Sequence, residues 1–89
     1  MSEPYLEVTY RHGRPLAAYY YLPRQTRARS HRTRRTASGL LVDYTRGGTA
    51  IGIEITTPGA ISLAAFNRLL RELGHKPITR ADISPLLAA

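Results

Sequence analysis

From Leu40 to Ile55 the chain reads L-L-V-D-Y-T-R-G-G-T-A-I-G-I-E-I. Two alternating runs flank a pair of glycines, and that combination is the strongest local signal for a β-hairpin. A two-residue loop at Gly47-Gly48 sets Tyr44 opposite Ile51, Val42 opposite Ile53 and Leu40 opposite Ile55. All six then share one apolar face, and a one-residue slip would scatter them, so the pattern fixes register as well as type. On the other face Asp43 lies across from Gly52 and Glu54 across from Leu41. The two carboxylates become diagonal neighbours, about 7–8 Å apart by Cα.

A chain of 89 residues supports one small core, or a core completed by association with another copy. Without cysteine, neither disulfides nor thiolate metal sites supplement it. The apolar runs are too short to span a bilayer, and the N-terminus lacks the apolar region of a signal peptide, so a cytoplasmic, soluble protein with no membrane association is expected.

Net charge is +7, but it is concentrated. Arg24, Arg27, Arg29, Arg32, Arg34 and Arg35 carry +6 within twelve residues, while the rest of the chain sets seven basic residues against six acidic ones. Such a patch attracts polyanions or an acidic partner through its local field.

Tyr5 to Arg11 alternates, with Leu6, Val8 and Tyr10 on one side, and Leu16 to Leu22 reads as a second strand. A three-residue loop, His12-Gly13-Arg14, pairs Tyr10 with Leu16, Val8 with Ala18 and Leu6 with Tyr20. A two-residue loop would oppose Thr9 to Leu16 and mix the faces. Tyr5, Tyr19 and Tyr21 then lie on the face away from Leu6, with Tyr5 opposite Tyr21. Tyrosines so placed are expected to be covered by a helix or a subunit partner; the alternative is a platform for stacking nucleic-acid bases.

Arg24 to Ala37 has no apolar alternation and forms either an exposed arm or an edge strand, where charge discourages aggregation. Ser62 is expected to cap a helix over Leu63 to Leu73 whose apolar stripe is Leu63, Phe66, Leu69, Leu70 and Leu73. Burial of that stripe stabilises by at most ~7–12 kcal/mol before entropy, which makes the helix structural. T-R-A-D at Thr79 is a capping-box variant opening a short helix or docked tail. The expected architecture is a single α+β domain over 1–89. An antiparallel sheet of two hairpins, four to five strands within 3–56, carries a helix at 62–74 and a last element at 79–89.

The run V-D-Y-x-x-G-G-x-x-I-G-I-E-I, from Val42 to Ile55, resembles the signature of a small bacterial domain of unknown function, number 2283. The match is good over Leu40 to Ile55 and weak over Tyr5 to Leu22, where the resemblance sets Tyr20 at the family's recurrent tyrosine. It implies a short β-rich domain, a bacterial setting and, because some relatives are encoded beside toxin-like proteins, an antitoxin-like partner role. Arg14, Ala17 and Arg46 stand where such domains tend to be acidic. The family offers no catalytic residues to carry over.

Little in the sequence points to catalysis. Asp43 and Glu54 are the only acids brought together, and nothing supplies a cleft between them. They are expected to neutralise arginines of a neighbouring Arg24–Arg35 segment. His12, His31 and His75 lack metal-ligand spacing, the serines lack a nucleophile elbow, and Gly47-Gly48…Gly52 matches no phosphate or dinucleotide loop. Gly52 within a strand is expected to allow a close backbone approach or a bulge. No cofactor and no enzyme activity are expected. The reading favoured by the sequence is a homodimeric protein-binding module; the alternative is RNA or DNA binding by Arg24, Arg27, Arg29, Arg32, Arg34 and Arg35 with Tyr19 and Tyr21.

Overall fold

The computed structural model describes residues 3–23 and 28–87. Five strands form one antiparallel sheet: β1 (Tyr5–Arg11), β2 (Arg14–Tyr21), β3 (Arg32–Arg35), β4 (Leu41–Tyr44) and β5 (Ala50–Ile55). Their spatial order is β1-β2-β5-β4-β3, so β1 and β3 are the two edges. Helix α1 (Leu63–Glu72) follows, then a 3-10 turn over Arg80–Ile83 that runs into the single helical turn α2 (Ser84–Leu87). This is the α+β arrangement that the alternation and the Ser62 cap predict. No helix among the described residues is long and apolar enough to cross a membrane.

Alternation assigns the strands correctly, but both predicted loop lengths are wrong. In the first hairpin Leu6 faces Tyr20, Val8 faces Ala18 and Tyr5 faces Tyr21, as expected. The loop, however, is His12-Gly13 alone, since Arg11 pairs with Arg14 and Tyr10 with Pro15. Both loop residues have positive φ, 53° and 77°, the geometry of the tight hairpin turn whose twist matches the strands. The face-mixing that argues against a two-residue loop is avoided because the pairing shifts between Thr9 and Tyr10, leaving Leu16 as an extra, bulged residue on β2.

In the second hairpin Asp43 faces Gly52 and Val42 faces Ile53 as predicted, but Tyr44 faces Ala50, and Ile51 is the bulged residue. The loop is Arg46-Gly47-Gly48, closed by Thr45 and Thr49 with a backbone bond of 2.8 Å. The β3–β4 loop repeats it: Thr36 bonds Leu40 at 2.8 Å across Ala37-Ser38-Gly39. Gly39 and Gly48 stand in the left-handed region at 84° and 90°, as the last residue of such a three-residue loop requires. T-A-S-G and T-R-G-G are therefore the same turn written twice.

One face of the sheet holds the core. Ala18, Tyr20, Val42, Tyr44, Ile53 and Ile55 meet Phe66, Leu69 and Leu70 of α1 and Ile83 and Leu86 of the C-terminal turns. Tyr20 and Phe66 pack edge to face at 5.3 Å, a favourable arrangement of aromatic quadrupoles. The Ser62 hydroxyl accepts from Ala65 N–H at 3.2 Å, and Leu63 and Leu73 flank the stripe half-buried. The expected capping box forms, with Asp82 accepting from Thr79 N–H at 2.8 Å. Ile51 is buried yet stands outside this core. It lines a depression on the opposite, outer face with Tyr19, Tyr21 and Asp43.

Candidate functional site

The outer face carries a polar row that crosses four strands. Thr33 on β3 faces Asp43 on β4, Asp43 faces Gly52 on β5, and Gly52 faces Tyr21 on β2, two residues from Tyr19. The Tyr19 ring leans across β5 so closely that a Cβ at Gly52 would lie 2.2 Å from its Cζ and 2.0 Å from its hydroxyl oxygen. Its hydroxyl reaches Asp43 Oδ2 at 2.8 Å, and Thr33 Oγ1 donates to Oδ1 from the other side. Asp43 is the buried charged residue of the described chain, 7% exposed. Two hydroxyl donors hold it in place, which a buried carboxylate needs in the absence of a cation.

Among the described residues, the expected pairing of Asp43 and Glu54 with the arginine run does not form. Register explains it: Thr33, rather than an arginine, stands opposite Asp43, while Arg32 and Arg34 alternate onto the other face opposite Tyr44 and Val42. Glu54 is affected first by burial, which raises its pKa, and then by Asp43, which raises it further through like charge and a hydrogen bond to the protonated form. No arginine of the described residues enters that balance. Of the two covers expected for the tyrosine face, a helix or a subunit partner, no helix among the described residues supplies one, since α1 packs on the core side with Tyr20; the outer-face depression is bordered by Ala28 and Ser30.

Of the predicted binding residues, Arg24 and Arg27 lie outside the described residues. Arg29, Arg32, Arg34 and Arg35 are exposed, the last three forming almost the whole of edge strand β3. Two of them are held by one aromatic ring. Arg34 donates to the Tyr44 hydroxyl from Nη2 at 2.9 Å and from Nε at 3.3 Å. The Arg32 guanidinium lies 5.1 Å from the Tyr44 ring centre and that of Arg34 at 5.8 Å, both within cation–π range. Tyr44 is itself nearly buried, so the anchor is rigid. A groove beside β3 is lined by Arg34, Arg35, Ser38, Arg68, Leu69 and Glu72, which adds a guanidinium from α1 to those of the edge.

Tyr19 and Tyr21 belong to the other face. They meet edge-on at 4.7 Å, Tyr5 lies 5.5 Å from Tyr21, and the Tyr21 hydroxyl donates to Glu7 at 3.2 Å. Among the described residues, Arg32 and Arg34 therefore do not share a face with Tyr19 and Tyr21. The sequence reading missed Tyr44 as the organiser of the edge, because its alternation made it look like core alone. It also missed Asn67, whose side-chain amide bonds both the N–H and the carbonyl of Ile78, at 2.8 and 2.9 Å, and so ties the C-terminal segment to α1. Comparison with known protein families, with characterised proteins and with solved structures finds no match.

Proposed function

We propose that this chain is a non-enzymatic binding module that grips a polyanion, RNA or DNA, along the basic edge strand β3. The observation that carries this reading is the separation of charges. The one buried carboxylate among the described residues, Asp43, is occupied by the hydroxyls of Tyr19 and Thr33, while Arg29, Arg32, Arg34 and Arg35 face water. Among the described residues, none of these four arginines serves Asp43 as a counter-charge, which supports a use for them outside the fold. Arg34 spends only part of its five-donor fork on Tyr44, leaving Nη1 for a phosphate oxygen. Holding Arg32 and Arg34 on a rigid ring also lowers the entropy lost when they bind. Arg68 across the groove extends the positive surface.

Titration of labelled single-stranded and duplex oligonucleotides at several salt concentrations tests the proposal. Contact with about four to six phosphates gives a slope of log K against log salt near −3 to −5. Arg29→Ser, Arg32→Ser and Arg35→Ser together are expected to make that slope shallower by about 2–3. Absence of binding at low salt, or a slope unchanged in the triple variant, refutes it.

A second reading, the homodimeric protein-binding module, is favoured by a different surface. Tyr5, Tyr10 and Leu16 are 51, 55 and 51% exposed, all on the β1–β2 hairpin at the sheet's other edge. The antitoxin-like role implied by the resemblance of Val42–Ile55 belongs with this reading.

A further inference from the structure

The first hairpin outruns the sheet that supports it. β2 pairs with β5 only over Ala18–Tyr21, so the stretch Thr9–Ala17 is a two-stranded ribbon with no third strand beside it among the described residues. Isolated ribbons of this kind are marginal in water. This one also exposes Tyr10 and Leu16 near its tip. Along its outside runs the edge of β1, whose outward backbone donors and acceptors pair with no other strand of the described residues and so suit the addition of one.

The two edges of the sheet differ in what they can accept. β3 reads R-T-R-R and is exposed throughout, so a second β3 laid against it would bring three like charges to each strand. β1 reads Y-L-E-V-T-Y-R, has no net charge, and contains neither proline nor lysine, the usual devices that blunt an edge. Its bulge is on the β2 side, with Leu16 as the extra residue, which leaves β1 itself regular.

We infer that β1 pairs antiparallel with β1 of a second copy, about a two-fold axis at Thr9, to make one continuous ten-stranded sheet. This rests on the homodimer reading and specifies its interface. Register selects Thr9. Antiparallel pairing about that residue sets Thr9 against Thr9, Val8 against Tyr10 and Glu7 against Arg11, the last two each occurring twice by symmetry. Apolar meets apolar on the core side, and acid meets base on the outer side, where Glu7 already lies beside Tyr21. Centring on Val8 instead would set Arg11 against Tyr5 and Glu7 against Thr9, with no charge matched. Centring on Thr9 also places the added strand over Glu7–Arg11, beside the ribbon that lacks support. Hydroxyl, apolar and opposite-charge pairs are the cross-strand combinations that stabilise antiparallel neighbours.

Light scattering on the purified chain and on three charge variants tests both the dimer and its register. Wild type is expected to be dimeric. Glu7→Arg alone and Arg11→Glu alone each set like charges opposite one another at two positions, and each is expected to weaken the dimer at least about tenfold. The double variant Glu7→Arg/Arg11→Glu restores the match and the dimer. An equimolar mixture of the two single variants forms a mixed dimer, which no loss of folding would produce. Thr9→Cys gives an independent readout in a chain that has no other cysteine: oxidation is expected to link two copies rapidly, and Ser84→Cys, on the exposed C-terminal turn, slowly. A monomeric wild type overturns the homodimer reading itself. A dimer indifferent to the charge reversals, with Thr9→Cys linking no faster than Ser84→Cys, overturns the β1 interface and leaves the homodimer reading standing.

Discussion

Replacing Gly52 by alanine isolates the steric core of the outer face. The backbone at Gly52 is not in the left-handed region, so alanine meets no conformational penalty there, and in a strand it would ordinarily be neutral or favourable. The whole cost comes from the Tyr19 ring, which a Cβ would approach to 2.2 Å at Cζ and 2.3 Å at Cε2. The ring must swing away, and its hydroxyl then leaves Asp43, which stays buried. Loss of a hydrogen bond to a charged group costs about 1.5–3 kcal/mol, and the half-buried ring gives up packing as well. A total of about 2–4 kcal/mol is a large part of the ~5–15 kcal/mol expected for a domain. Urea unfolding would show it as a midpoint lowered by about 1–3 M at unchanged slope. The decisive comparison is a double-mutant cycle. In a Tyr19→Ala background the clash is gone, and Gly52→Ala is expected to cost less than about 0.5 kcal/mol. In a Tyr19→Phe background the ring remains, so the hydroxyl is already lost but the clash persists and a penalty of about 1–2 kcal/mol survives. Equal costs of Gly52→Ala in the wild-type and Tyr19→Ala backgrounds would refute the account.

Three further outcomes are expected. Asn67→Ala leaves the N–H and carbonyl of Ile78 without partners, costing about 1–3 kcal/mol, and hydrogen exchange should quicken first over Ile78–Leu87; uniform quickening across the sheet would contradict this. Glu54 has its pKa raised in the folded state, so the folded chain holds that proton more tightly than the unfolded one. Its contribution is complete below the ordinary glutamate pKa and is lost as pH rises through the raised value. Glu54→Gln should therefore flatten the decline in thermal stability over that window and leave the variant the more stable form at neutral pH; a steeper decline would contradict it. Tyr44→Phe removes the acceptor that orients Arg34 while keeping the ring beneath Arg32, and should weaken oligonucleotide binding several-fold at a stability cost of about 0.5–1.5 kcal/mol. Unaltered affinity would mean that Tyr44 does not organise the basic edge.

The strands were legible because a half-buried sheet imposes a period of two, and Val8–Ala18 and Val42–Ile53 pair as that period demands. Loop lengths were not, because a bulge absorbs one residue without disturbing the pattern on either side. At Leu16 and Ile51 it did so, and each time the count across the turn came out one residue wrong. A better signal was present in the repeat of Thr36-Ala37-Ser38-Gly39 and Thr45-Arg46-Gly47-Gly48, in which the same offset from threonine to glycine closes the same three-residue loop. The polar row was hidden for a different reason. Tyr19, Gly52, Asp43 and Thr33 come together only when β2, β5, β4 and β3 lie side by side in that order, and local pairing of hairpins does not determine the order. Gly52 was the clue, but the close backbone approach or bulge expected there is instead the approach of an aromatic side chain.

The strand order also decides which way the described arginines face. Had β3 joined the sheet one residue out of its present register, Arg32 or Arg34 would have faced Asp43, and the run would have served as an internal counter-charge. Thr33 takes that place, and the consequence is a division between the sheet's two margins. At β3, like charge disfavours another copy and suits the proposed polyanion, with Tyr44 fixing two guanidinium groups at the rim. At β1, matched charge and apolar alternation fit a second copy of the same strand. Two such chains joined at β1 would carry their basic edges at opposite ends of one sheet, nine strand spacings or about 43 Å apart. A long polyanion able to reach both would then bind through two modest sites at once, which raises its affinity without any new contact. The arginine edge and the self-complementary edge are separate pieces of chemistry, and the five-strand order is what keeps them apart.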